Sequence, residues 1–338
     1  MRGLRERYPN LQLDYLGGEA TREIEEASRL VDARHSLFGA AEGSETLSGF
    51  LRARIERAGE YDLVINLDSH PLSALAATLT GARYVVGSTL DDQGRPALPP
   101  SQGLDRLWHD TWNRPDLLGD YPELATQFIS EIFCRLARVQ TDYTRCEVPV
   151  ATPDRLVPDV LFATGGNRSA KLWVKSYWLH VADWCRTHGL TTGLLGAAAP
   201  KQGTAYHAGE LDAALVRSGV ADLRAPSLTL PQVAGALQLA RALVTIDNGL
   251  LHVAAAVGAP TVALFGASPQ RIWAPPVTTV TVLEPASPCT LCEENRFRNA
   301  DCLIPTHQCM ESISPTRVVE TLSQFLERRP ASAPGKPR

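Results

Sequence analysis

Asp247, Asn248 and Gly249 separate two apolar runs, residues 242–246 before them and 250–256 after them. Val244 and Ile246 suit a buried strand and the second run suits a helix, so the three residues mark a strand turning directly into a helix. The first N–H groups of a helix have no partners inside it and carry partial positive charge, so such a junction can hold a diphosphate. Gly249 adds close approach of backbone to ligand. Taken alone, the turn reads more readily as an Asp/Asn helix cap, because caps outnumber phosphate sites. Its neighbours change the balance. Upstream, Thr164-Gly165-Gly166-Asn167-Arg168-Ser169-Ala170-Lys171 forms a second loop after an apolar run. Lys171 there could neutralise the charge that builds on a departing diphosphate oxygen, the alternative being a solvated lysine. Ser268, in a third loop at 266–269, reads as a turn residue ahead of a ligand contact.

Four of the seven cysteines, Cys289, Cys292, Cys302 and Cys309, crowd one segment with C-x2-C-x9-C-x6-C spacing. Four thiolates so spaced could close a tetrahedral site for Zn²⁺ or iron. With all four positions filled by sulfur, the metal would be structural, shaping a wall of the acceptor cleft; His307 is an alternative ligand. Reduced thiols are the competing reading, since a cytoplasmic setting disfavours stable disulfides. Asp68 and His70 follow a strand pattern at 62–67, where a carboxylate or neutral imidazole could accept a proton from an acceptor hydroxyl. Residues of these types after a strand are more often helix caps or acceptor contacts.

The elements that would position these groups alternate between strand and helix. The first half reads as a strand at 11–15, a helix at 21–30, a helix at 51–58, a strand at 62–67, a helix at 72–79 and a strand at 83–86. A Gly/Pro-rich loop follows at 93–103, then an amphipathic helix at 121–139. Residues 149–158 carry three prolines and mark a domain boundary at 150/151. Beyond it come strands at 160–163, 191–195 and 261–265, with helices at 176–188, 205–218 and 230–240. Such alternation implies two doubly wound α/β domains with parallel sheets, whose ligands sit at the carboxyl ends of strands. Residues 328–338, rich in Pro, Ala and Lys, read as a disordered tail.

With 338 residues, 44% of them hydrophobic, and a formal net charge of −4, the chain has material for two domains and no electrostatic reason to seek nucleic acid. No apolar run approaches a bilayer span, so no membrane-spanning segment is expected. Residues 1–8 lack a secretory core, which points to the cytoplasm, with peripheral membrane contact open to a lipid-linked substrate.

The run Asp247-Asn248-Gly249-Leu250-Leu251-His252-Val253-Ala254-Ala255, with Gly258-Ala259-Pro260-Thr261-Val262-Ala263-Leu264-Phe265-Gly266 after it, resembles the donor-site signature of glycosyltransferase family 9, the ADP-heptose:lipopolysaccharide heptosyltransferases. Residues 166–173 are similar to that family's glycine-to-lysine-tryptophan loop, and Tyr61-Asp62-Leu63-Val64-Ile65-Asn66-Leu67-Asp68 to its acceptor-domain pattern. The resemblance implies a GT-B fold, two Rossmann-like domains facing across a cleft. Residues 1–150 would form the acceptor side and residues 151–327 the donor side, the latter including a Cys-rich loop at 288–310. It implies inverting, metal-independent transfer of a sugar, a heptose, from an ADP-linked donor to a saccharide, lipid-linked or protein hydroxyl. Thr164, Gly166, Lys171, Asp247, Asn248, Gly249, Leu250 and His252 would line the donor pocket, with Lys171 on the phosphates and Leu228 near the adenine.

Three departures stand out. Asn248 replaces a usual threonine, Val174 replaces a common proline, and no donor-binding glutamate aligns at 198–206. The chain also opens in what resembles the helix after the family's first strand and Gly-Asp loop, whose Asp is the proposed base. Asp68 and His70 are the candidates that remain, and the alternative function is a catalytically silent nucleotide-sugar-binding or assembly protein. A GT-B epimerase is a weaker third reading.

Overall fold

The computed structural model describes residues 1–38, 44–68, 70–196, 209–224 and 227–328. Of the tail expected at 328–338, Arg328 belongs to a helix and the rest lies outside them, as does the unplaced glutamate region at 198–206. The chain divides into two compact units, Met1–Thr144 and Arg145–Arg338.

In the first unit, strands β1 (Asp14–Gly18) and β2 (Ala33–Phe38) pair in parallel, as do β3 (Leu63–Asn66) and β4 (Tyr84–Gly87). β5 (Thr89–Leu90) and β6 (Pro96–Ala97) form a small antiparallel hairpin that straddles the start of the loop expected at 93–103. Helix Ser44–Ala58 joins the pairs by placing Leu47 and Leu51 against Leu37 and Ala76 in one small core. The starts of β1 and β3 are tied by Asp14, which accepts from Arg54 at 2.6 Å and from the Tyr61 hydroxyl at 2.8 Å. The helix expected at 121–139 is shorter than the pattern implied: only Ile129–Leu136 is helical in the second part of that stretch. The buried Glu131 carboxylate accepts from the N–H groups of Ala125 and Thr126, which fixes a turn where the helix would have continued. Arg138, at φ 56°, ends it.

The second unit holds a six-stranded sheet in which every pairing is parallel. Its strands are β7 (Val160–Ala163), β8 (Thr192–Leu194), β9 (Ala221–Asp222), β10 (Ala242–Ile246), β11 (Thr261–Leu264) and β12 (Val280–Leu283), in the order β12-β11-β10-β7-β8-β9. β7, β10 and β11 are buried at every residue, as expected for parallel strands covered on both faces. On one side Trp178 from helix Lys175–Thr187 packs edge-on to Phe162 and Trp173, with centroids 5.7 and 5.2 Å apart. Helix Pro315–Arg328 adds Val318, Leu322, Phe325 and Leu326 to the same core.

Helix Leu230–Leu239 begins with a capping box, Thr229 and Gln232 each accepting from the other's backbone. It also holds the proline-rich stretch: Ala151 donates to Pro231 at 2.9 Å, and a Cβ on Gly235 would lie 2.0 Å from the Ala151 carbonyl. Successive strands run outward from β7 in one direction and from β10 in the other. The chain order therefore reverses between β7 and β10, the position where open α/β sheets open a crevice for ligand at their carboxyl ends.

Candidate functional site

The loops leaving β7 and β10 meet at that reversal. Lys171, on a short 3-10 turn (Ser169–Lys171), reaches the Asp247 carboxylate at 2.7 Å, with both side chains mostly buried. An ammonium has three donors, so this bond and a long 3.5 Å approach to the Asp247 carbonyl leave capacity for an anion. Gly166 is buried beside the pair; a Cβ there would sit 3.3 Å from Ile246 and 3.9 Å from both the Asp247 carbonyl and the Lys171 side chain. Only the Ile246 contact is tight, so a methyl here would require that side chain to give by a few tenths of an ångström.

Asn248 is the N-cap of helix Gly249–Val257. Its Oδ1 accepts from Leu250 N at 3.0 Å and Leu251 N at 3.3 Å, while its Nδ2 donates to the Gly165 carbonyl at 2.9 Å and to Ala163 at 3.3 Å. One amide thus caps the helix and stitches the β10 turn to the end of β7. A phosphate at this helix would share the N–H groups of Leu250 and Leu251 with Asn248, so the helix end is less open than the bare junction suggested. Gly249 is exposed, and a Cβ there would meet no protein atom within 4 Å, which leaves room for a ligand. His252, half-buried one turn further on, has its pKa lowered, first by burial and then by the Lys171 charge, with Asp247 opposing.

Two expected donor contacts are buried. Thr164 is fully buried and its hydroxyl donates to Asp212 at 2.6 Å, so that side chain is spent inside the domain. Asp212, on helix Gly209–Arg217, is also paired with Arg224, which bonds Asp222 at 2.9 Å. Burial holds the Asp212 carboxyl above its ordinary range against the pull of Thr164 and Arg224. This buried network was invisible in the sequence, because its members come from separate β/α units. Leu228 is buried just ahead of the Thr229 cap.

The Cys-rich segment packs beside the same loops. Cys289, Cys292, Cys302, Cys309 and His307 line one cavity of about 10 Å³ together with Gly266 and Ala267. That volume matches a single water-sized occupant. Burial, then the neighbouring Cys292, Cys289 and Cys302, push the Cys309 thiol up to about 11. Arg296 and Phe297, at φ 51° and 55°, turn the chain between Cys292 and Cys302. Yet among the described residues no group of three or more His, Cys, Asp or Glu side chains is arranged to hold a metal ion. The expected tetrathiolate is therefore not preformed: Cys292 Sγ accepts from Asn299 Nδ2 at 3.4 Å, and Cys302 Sγ faces the Thr306 carbonyl at 4.0 Å.

In the first unit, Asp68 and His70 follow β3 and both act as local caps. The two Asp68 oxygens accept from His70 N at 3.1 Å and from the Ser73 hydroxyl at 2.7 Å, and His70 Nδ1 accepts from Leu72 N at 3.1 Å. These bonds fix the start of helix Pro71–Leu79, and the His70 side chain lies at the surface.

The family model for glycosyltransferase family 9 (heptosyltransferase) matches residues 52–301. The chain belongs to that family. Family 9 relatives include lipopolysaccharide heptosyltransferase 1 of Pseudomonas aeruginosa, 30% identical over 209 residues, which cover 61% of this chain and 55% of that protein. Lipopolysaccharide heptosyltransferase 2 of Escherichia coli is 31% identical over 160 residues, or 46% of this chain and 43% of the relative. The chain thus spans about half the length of these curated relatives.

Among solved structures, a family 9 glycosyl transferase from Veillonella parvula superposes with a TM-score of 0.70 at 18% identity, covering 97% of this chain and 91% of that one. The E. coli ADP-heptose heptosyltransferase II gives 0.66 at 19%, covering 98% and 94%. An E. coli heptosyltransferase solved with ADP-2-deoxy-2-fluoro heptose gives 0.56 at 17%, covering 97% and 93%. The fold is accordingly the α/β GT-B fold. Within it, the family 9 chain brings Gly166, Lys171, Asp247 and Asn248 together at one strand reversal, while Asp68 and His70 belong to the other unit.

Proposed function

We propose that this chain is an inverting glycosyltransferase whose second unit binds an ADP-linked sugar, a heptose, and whose first unit presents the hydroxyl acceptor, a saccharide that can be lipid-linked. The observation that carries the reading is the Lys171–Asp247 pair beside the capped N-terminus of helix Gly249–Val257, at the carboxyl ends of β7 and β10. Named relatives that transfer heptose in lipopolysaccharide synthesis support the sugar, and a neighbour solved with an ADP-heptose analogue supports the nucleotide. In the reaction the acceptor oxygen attacks the anomeric carbon, the bond from that carbon to the diphosphate breaks, and ADP leaves with its new charge met by Lys171. A base on the acceptor side takes the hydroxyl proton. Asp68 and His70, which follow β3, are the candidates for that role, and the 93–109 segment would contact the acceptor. The reaction would run at the cytoplasmic face of a membrane; among the described residues no helix is long and apolar enough to cross one.

The four cysteines match a structural Zn²⁺ or iron in donor type, although the described side chains are not arranged to hold one. When bound, the ion would supply a cross-link across the 288–310 segment, at the cost of displacing thiol protons. The silent-binder reading is favoured by one observation, that both Asp68 oxygens are engaged in capping. Incubation with ADP-heptose and a lipopolysaccharide-core saccharide separates the two: release of ADP with a product of inverted anomeric configuration supports transfer, and tight ADP-heptose binding without turnover supports the silent reading.

A further inference from the structure

The turn that carries Lys171 has little to hold it from within. Its own bonds are Lys171 N to Arg168 O at 3.1 Å and Leu172 N to Ser169 O at 3.0 Å. A run of three residues in 3-10 geometry is not self-supporting. The Cys-rich segment supplies the rest. Ala170 donates to the Ala300 carbonyl at 3.0 Å, and the Ala170 carbonyl lies 2.6 Å from His307 Nε2, which must therefore carry the proton. The residue immediately before Lys171 is thus gripped at both its N–H and its C=O. Arg168 acts as a second clamp: its Nε donates to the Asn299 carbonyl at 2.7 Å, its Nη2 approaches Asn299 Oδ1 at 3.4 Å and its Nη1 donates to the Ala267 carbonyl at 3.0 Å. Beyond the turn, Trp173 Nε1 donates to the Ile313 carbonyl at 2.9 Å.

The partners of these clamps are themselves set by the cysteine cavity. Asn299 Nδ2 bonds Cys292 Sγ at 3.4 Å and the Asp301 carbonyl at 2.7 Å, and His307 lines the cavity between Cys302 and Cys309. None of these bonds touches the Lys171 ammonium, which points to Asp247.

We propose that Arg168 and His307 are positioning residues for the donor diphosphate: they fix the backbone of the Ser169–Lys171 turn so that the ammonium meets the phosphates without ordering the loop at the moment of binding. The inference rests on the reading that Lys171 faces the donor. Its signature is that His307 acts only through Lys171. Removing the imidazole lets the turn sample other conformers and reduces the fraction competent to bind, which weakens apparent affinity by that fraction. In a chain that already lacks the ammonium, the same loss has nothing left to weaken.

The test is calorimetric titration of ADP into the full chain as wild type, Lys171→Ala, His307→Ala, His307→Gln and the Lys171→Ala/His307→Ala double variant. The expected result is about tenfold weaker binding for His307→Ala. His307→Gln, whose amide can donate to the same carbonyl, is expected to restore most of it. In the Lys171→Ala background, His307→Ala is expected to make no further difference. Additive losses in the double variant, or no loss in His307→Ala, would overturn the proposal while leaving the Lys171 reading intact. Equal ADP binding by wild type and Lys171→Ala, or none by wild type, would remove the Lys171 reading and the proposal with it. Should His307→Ala fail to fold, Arg168→Lys carries the same cycle, because an ammonium reaches fewer of the three oxygens that the guanidinium engages.

Discussion

Asn248 shows how one side chain can do two jobs that the sequence can list only separately. Its oxygen caps two helix amides and its nitrogen binds carbonyls at the end of β7. The cap follows from Asn after a strand. The second job does not, because Gly165 lies 83 positions away in sequence. Replacement by Ala removes both; loss of the cap alone costs about 1 kcal/mol, and the unpaired Gly165 carbonyl should raise the total to roughly 2 kcal/mol. Denaturant unfolding of Asn248→Ala against wild type measures it, and Asn248→Thr should recover the cap but not the bond to Gly165.

His252 sets a pH dependence of definite sign. Its folded pKa lies below the ordinary value of 6.5, mainly because burial disfavours the charged ring. Between that lowered value and 6.5 the unfolded chain binds more protons than the folded one, so stability rises with pH across this window and is lost as pH falls through it. His252→Gln should therefore flatten the slope of unfolding free energy against pH below 6.5. An unchanged slope would assign the dependence to other groups.

At the scale of elements, what could be read in advance was decided by burial. β7, β10 and β11 are continuous apolar runs because both faces are covered, and their places in the sequence matched the structure closely. β2 was missed because Ala33-Arg34-His35-Ser36-Leu37-Phe38 carries polar residues that find local partners; Arg34 bonds Glu25 at 2.6 Å and His35 stacks on Phe50. The helix read across 121–139 failed where Glu131 turns inward to bind Ala125 and Thr126, a tertiary choice that outweighs local helical pattern. The four cysteines of the C-x2-C-x9-C-x6-C pattern line one cavity without being arranged to hold a metal, and the pattern could not reveal that the segment grips the Lys171 turn.

Gly266 shows how tightly that packing is drawn. A Cβ there would lie 2.3 Å from Met310 Sδ and 3.2 Å from Cys309 Sγ. Met310 is fully buried and Cys309 nearly so, so both must shift, and Gly266→Ala should cost about 1–3 kcal/mol. Thermal melts of that variant would check the magnitude. A change under a few tenths of a kcal/mol would mean that the Cys segment rests on the sheet more loosely than described.

At the scale of the whole molecule, the second unit alone contains every residue assigned here to the donor: the six-stranded sheet, the strand reversal, the Lys171–Asp247 pair and the Cys-rich buttress. The family assignment and the GT-B fold were legible from the sequence because the donor motif is contiguous through Asp247, His252 and Gly266. The catalytic base was not, since Asp68 and His70 have the spacing of caps and are used as caps. If a metal fills the thiol cavity, protein purified without added metal should carry close to one equivalent of Zn or Fe per chain, and chelation should lower its melting temperature. Less than roughly a tenth of an equivalent would leave the cysteines as reduced thiols.

The central claim is that the junction of β10 with helix Gly249–Val257, together with Lys171, holds the diphosphate of an adenine nucleotide. Calorimetric titration of ADP into wild type and Lys171→Ala, with UDP and GDP as competitors, tests it most directly. ADP should bind saturably, outcompete UDP and GDP, and bind at least about tenfold more weakly, ~1.4 kcal/mol, when Lys171 is lost. Binding that is absent, or unchanged by removal of the ammonium, would contradict it.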